Sequence, residues 1–217
     1  MSRKSLQVKE TARADTKVLG ALIISTTNSQ VTVDSSKLTA PDRLYDADLA
    51  WISCKAARVS IYFAKKNLDD PQKLASRLEI RFPAEDFLTA FLNISRTFYE
   101  TLKTYTQRWP VEVRASTSDA EKQLPAERSH SEWANFSHMA FSGSEASADF
   151  YHVPPSGIAR YSKDRDTSGL DLRPVVRVLL TSFELLGVLD AATQLESELR
   201  EVVPDVHRKT EPLADQG

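Results

Sequence analysis

Glycine is scarce in this sequence, with six residues in 217, at positions 20, 143, 157, 169, 187 and 217. No two of them stand at the spacing of a dinucleotide-binding G-x-G-x-x-G or a phosphate-binding G-x-x-x-x-G-K-[ST]. Such loops need glycine because the backbone must approach the anion closely and adopt left-handed angles, so no nucleotide cofactor is expected. The signatures G-x-S-x-G and H-E-x-x-H are missing as well. No catalytic residue is assigned, and the chain reads as a protein without an enzymatic activity. The single cysteine, Cys54, excludes an intramolecular disulfide and any multi-cysteine zinc site. No run approaches the roughly 18 apolar residues of a membrane span, and the polar opening MSRKSLQVKETARADTK has no apolar core of a secretory signal. The expectation is a soluble cytoplasmic protein with no membrane contact. Neither sign of charge prevails: 28 basic and 30 acidic side chains leave a net charge of −2. That balance argues against a general polyanion binder while leaving room for a local basic patch.

What is present is periodicity. After a polar tail over 1–16, Val18 to Ser25 and Gln30 to Val33 read as two strands around a Thr-Thr-Asn-Ser turn. In Arg58–Phe63 the apolar residues Val59, Ile61 and Phe63 recur at a period of two. Leu78, Ile80 and Phe82 do the same in Arg77–Phe82, so two half-buried antiparallel strands are predicted. Pro83 suits the first position of a helix, with Glu85 and Asp86 at the positive end of its dipole. Phe87, Phe91, Ile94, Phe98, Leu102 and Tyr105 form its apolar stripe. Val111–Arg114 reads as a further strand. The aromatic segment 133–153 reads as a hairpin turning at Ser142–Glu145, and Pro174 reads as the opening of a helix closed by Pro204.

The predicted fold class is therefore α+β: an antiparallel sheet, two long helices over about 83–108 and 174–203, and an irregular aromatic-containing middle. Residues 17–116 make the α+β core, 117–131 a linker or long loop, 132–203 the hairpin-like segment and C-terminal helix packing on that core, and 204–217 a second tail. No internal repeat is legible.

Few residues suggest chemistry. His130, Glu132, His138 and His152 match no established ligand spacing, so no metal site is assigned. Asp164–Gly169 reproduces the opening of a calcium loop, but Val175 stands where the bidentate glutamate belongs, and the segment reads as a solvated loop. Cys54, in Trp51–Lys55, reads as a small strand residue.

Two features carry the functional expectation. The first half of the C-terminal helix is apolar nearly all round, with only Arg177, Thr181 and Glu184 as a polar stripe. Leu179, Phe183 and Leu186 form one ridge for the chain's own sheet. Val178, Leu185 and Leu189 form a second, predicted to be a protein interface. The acids Glu196, Glu198 and Glu201 near that helix's negative end call for basic partners, supplied by another subunit if not by the chain itself. The leading expectation is an interaction or assembly protein, a homo-oligomer or an accessory subunit. The alternative is a nucleic-acid-associated factor whose basic sheet face carries Arg58, Tyr62, Lys66, Arg77 and Arg81, and the third reading is an enzyme of a class with no recognisable motif.

Overall fold

Among the described residues ten strands form, and the apolar-polar alternation is clearest in the two central strands Arg58–Lys66 and Leu74–Pro83. In the computed structural model, which describes residues 21–26, 29–34, 38–55, 58–108, 118–154 and 172–202, β1 (Ala21–Thr26) and β2 (Ser29–Asp34) make an antiparallel hairpin of their own. The remaining eight are β3 (Leu44–Asp46), β4 (Leu49–Lys55), β5 (Arg58–Lys66), β6 (Leu74–Pro83), β7 (Ser129–Trp133), β8 (Phe136–Ser142), β9 (Glu145–His152) and β10 (Arg173–Thr181). They build two four-stranded sheets, sheet I in the order β4-β5-β6-β7 and sheet II in the order β3-β10-β9-β8. Helix α1 begins at Ala84–Asp86, passes through a π turn at Phe87–Phe91 and continues as Leu92–Thr106. Helix α2 is Asp119–Gln123, and helix α3 is Ser182–Val202.

The α+β class holds, but the expected single antiparallel sheet is two mixed ones, because β7 runs parallel to β6 and β3 parallel to β10. The sheets face each other across Phe63, Phe82 and Phe150, with the Phe63 and Phe150 rings 5.7 Å apart. Helices α1 and α3 pack together and complete the same core through Phe87, Phe91, Phe98, Leu102, Leu185, Val188, Leu189 and Leu199.

Two strands pass from one sheet to the other. The Ala47 amide donates to Leu179 in sheet II, and the next amide, Asp48, donates to Ala64 in sheet I. The Ala134 amide likewise donates to Arg81 in sheet I, and Asn135 to Tyr151 in sheet II. Such corners let one strand serve two layers. Each corner is pinned in the same way: Asp48 Oδ2 accepts from the Lys66 amide at 2.9 Å, and Asn135 Oδ1 from the Val153 amide at 2.8 Å.

These correspondences disclose a duplication. Ala47 matches Ala134, Asp48 matches Asn135, Ala64 matches Tyr151 and Lys66 matches Val153, always at one separation. The hairpins agree in register throughout, from Leu49–Ala64 and Phe136–Tyr151 to Lys55–Arg58 and Ser142–Glu145. The third strands correspond too, Leu78 with Val176 and Phe82 with Leu180, because each pair occupies equivalent ladder positions, and at the same separation Phe87 and Leu185 match at the helix starts. Beyond the π turn the match is one residue shorter, Leu102 with Leu199, so the turn absorbs a single extra residue in the first half. From β3 to α3 the described residues thus form two β-β-β-β-α units, with α2 between them, and each unit lends its short first strand to the other unit's sheet.

Two expectations are corrected. The helix placed over 174–203 begins only at Ser182; Arg173–Thr181 is β10. Its β-branched valines favour a strand, and apolar residues on both faces suit a strand between two neighbours better than a helix. Val176, Val178 and Leu180 point inward, while Arg177, Leu179 and Thr181 alternate outward. Pro174 is tolerated because β3 pairs only with Arg177–Leu179. The boundary was written in Thr181-Ser182-Phe183-Glu184, a capping signature, and Thr181 Oγ1 accepts from the Glu184 amide at 3.1 Å. The linker placed over 117–131 contains α2, opened by a Ser118–Glu121 capping box, and then β7, hydrogen-bonded along β6. The 142–145 turn forms as expected, with Gly143 at φ 65°. The strand expected at 111–114, the 164–171 loop and both tails lie outside the described residues.

Candidate functional site: a cleft on the outer face of sheet I

Alternation decides what sheet I shows on its outer side. Across its four strands one row reads Trp51, Tyr62, Glu79, Ser131 and the next Ser53, Ser60, Arg81, Trp133. At one end Leu49, Ala64 and Leu74 make a second small core with Trp51, covered by Leu124 and Ala126 of the segment joining α2 to β7. Beside that cover the face stays open as a cleft of about 420 Å³. Its lining comprises Trp51, Ser53, Tyr62, Arg77, Glu79, Lys122, Ser129, His130 and Ser131.

The Trp51 and Tyr62 rings stack at 5.2 Å with an interplanar angle of 12°. Trp51 is nearly buried and separates the cleft from a groove of about 240 Å³ against α3, lined by Phe183, Glu184, Gly187 and Ala191. Glu79 is the hub of the cleft floor. One carboxylate oxygen accepts from Ser60 at 2.8 Å and Tyr62 at 3.3 Å; the other accepts from Ser131 at 2.8 Å and Arg81 at 2.7 Å. Burial alone would raise this carboxyl, but the bonds from Arg81, Ser60 and Ser131 outweigh it and hold the group at about 2.

The five residues of the expected basic face separate into three groups. Tyr62 and Arg77 line the cleft. Arg81 and Arg58 share the face outside it, Arg81 tied to Glu79 and the buried Arg58 Nε without a hydrogen-bond partner. Lys66 is drawn away to Glu121 at 2.7 Å. Sequence reasoning missed Trp51, Lys122 and His130. Leu49–Lys55 opens on four apolar residues in a row, which hid the outward place of Trp51, and Lys122 and His130 reach the cleft only because the supposed linker folds across the sheet.

The residues expected to form an interface do not reach the surface. Val178, Leu185 and Leu189 are all buried in the chain's own core, because β10 turns Val178 inward and α3 lays its apolar stripe on α1 and the sheets. Leu179, expected to pack inside, is 37% exposed instead. Glu196 finds its basic partners within the chain, Arg96 and Arg200.

The equivalent row of sheet II is His138, Asp149, Arg177. Arg177 donates through Nε and a terminal nitrogen to the two Asp149 oxygens, each at 2.7 Å, with Asp149 only 4% exposed. Burial and the Asp149 charge push the Tyr151 hydroxyl up to about 12. Burial likewise lowers His138, with Asp149 opposing and Arg177 adding. Among the described residues no three His, Cys, Asp or Glu side chains gather as around a metal ion, and His130 and Glu132 stand in sheet I while His138 and His152 stand in sheet II. No described helix is long and apolar enough to cross a membrane. No family model matches this chain, and neither a curated protein nor a solved structure does.

Proposed function

We propose that the chain is a nucleic-acid-associated accessory factor of the cytoplasm, holding a single strand across the outer face of sheet I. The observation that carries this reading is an open cleft in which the Trp51–Tyr62 stack lies beside Arg77 and Lys122. Single-strand binders combine aromatic faces for the bases with cations for the phosphates. Trp133, 49% exposed, stands opposite Arg81 on the same face. Strand spacings of ~4.8 Å and rises of ~3.3 Å put it on the order of 12 Å from Tyr62, within reach of one short strand. Lys55, Arg58 and Arg77 make no ion pair with a described acid, so they are the cations left for phosphates. The test is fluorescence anisotropy with labelled mixed-sequence oligonucleotides at low salt. Three phosphate contacts would give a log–log salt slope of about −2, and Arg77→Glu is expected to abolish binding. No binding by the wild-type protein at low salt would overturn the reading.

A second reading, self-association, is favoured by a different observation. The large apolar residues Leu44, Leu179 and Trp133 are exposed on β3, β10 and β7, and an Arg43–Glu132 bond joins the two edges. A second copy would cover them. A dimer by light scattering, dissociated by Leu44→Glu with Trp133→Glu, is the expected result, and a strict monomer at tens of micromolar would remove this reading.

A further inference from the structure

The floor of the cleft is polarised by its hydrogen bonds. Ionised Glu79 has no proton to give, so Ser60, Tyr62 and Ser131 must all donate to it. Their hydroxyl protons therefore point inward. Ser131 also accepts from Arg81 at 2.9 Å, which leaves it one lone pair for a ligand, and Ser60 is buried. The two floor oxygens that face the cleft, Tyr62 Oη and Ser131 Oγ, can only accept. The rim hydroxyls of Ser53 and Ser129 carry no such carboxylate partner and discriminate nothing.

We infer that this floor selects bases with an amino group at pyrimidine C4 or purine C6, cytosine and adenine, over those with a carbonyl there, uracil, thymine and guanine. An amino group gives its protons to Tyr62 Oη or Ser131 Oγ. A carbonyl at the same ring position meets oxygen lone pairs and loses its hydrogen bond to water without replacement. The positively charged side chains around the floor are met by phosphates and do not offset that loss. This inference rests on the nucleic-acid reading and deepens it.

Cytidine and uridine decamers make the cleanest contrast, because the rings are the same size and differ at this position between amino and carbonyl. Anisotropy titrations at low salt are expected to show the cytidine decamer binding about tenfold more tightly, the equivalent of about 1.4 kcal/mol. In Glu79→Gln the amide can donate, so the floor hydroxyls are released to turn outward. The preference is expected to collapse, while overall affinity rises because Arg81 is freed. Should that variant fail to fold, Tyr62→Phe keeps the ring and removes one acceptor; it is expected to lower the cytidine preference, read as the ratio of the two decamer affinities, several-fold. Equal binding of the two decamers, preference for uridine, or an undiminished preference in a folded variant would overturn the inference. Failure to bind either decamer would instead overturn the functional reading beneath it.

Discussion

The two halves of the chain solve the same backbone problem and leave opposite surfaces. On sheet II the central outward row closes on itself: Arg177 meets Asp149 through two bonds, and Asp149 is buried. On sheet I the matching row holds Trp51, Tyr62 and Glu79, and the carboxylate is satisfied by hydroxyls and one arginine while a cleft remains open. Duplication explains the shared ladder, the two corners and the exchanged short strands. It leaves each half free to take its own side chains at the outward positions, which the core does not constrain. A fold can keep one face for stability and give the other to a ligand.

The comparison is broken most severely at Arg177. Removing it leaves Asp149 as a buried, uncompensated charge, so Arg177→Ala is expected to cost about 3 kcal/mol in denaturant unfolding. Arg81→Ala on sheet I leaves Glu79 with three hydroxyl donors, and about 1 kcal/mol is expected. Similar losses from the two variants would show that the faces do not differ in this way.

The helix starts offer a second contrast. Asp86 and Glu184 occupy matching positions, yet Glu184 accepts the Ala50 amide at 3.1 Å. Burial, with the neighbouring Glu85 charge, pushes the Asp86 carboxyl up to about 6. A raised carboxylate contributes stability below its unfolded value, and that contribution is lost as pH rises through 6. Asp86→Asn is therefore expected to stabilise the protein by about 2 kcal/mol at pH 7.5 and to have little effect at pH 4. Glu184→Gln should give no such gain. Equal effects of Asp86→Asn at both pH values would contradict the assignment.

Glu79 behaves in the opposite sense. Its carboxyl is held at about 2, so its contribution is present above the ordinary glutamate range and lost as pH falls toward 2. Wild-type protein should lose about 1 kcal/mol more than Glu79→Gln across that interval, the pair being partly open to solvent. Superimposable acid-unfolding curves would remove Glu79 from this role.

The sequence disclosed those parts of the fold where one periodicity held unbroken. Val59, Ile61 and Phe63 with Leu78, Ile80 and Phe82 are the inner face of β5 and β6, and Phe87, Phe91, Phe98 and Leu102 are buried along α1. It misled where two periodicities were compatible, because Val175 to Leu180 is apolar on both sides and a helix and a doubly flanked strand read alike there. The duplication was hidden because register and hydrogen bonds are conserved between the halves while outward residues are not; Trp51 faces His138 and Tyr62 faces Asp149 in the correspondence. Two of the nine lining residues, Tyr62 and Arg77, were visible as part of a basic sheet face. Lys122 and His130 depend on a parallel pairing of β7 with β6 that joins residues far apart in sequence, which no local pattern encodes.

Matched charge reversals on the two sheets test the central claim most directly. Arg77→Glu places an acid in the cleft of sheet I, and Arg173→Glu places one on an exposed position of sheet II. Binding of a labelled cytidine decamer at low salt would be followed for both variants and for the wild-type protein. The expected result is loss of binding in Arg77→Glu and near wild-type affinity in Arg173→Glu, with both variants unfolding cooperatively. Equal weakening by the two reversals would mean that only the overall charge attracts the strand, and would contradict a site on sheet I.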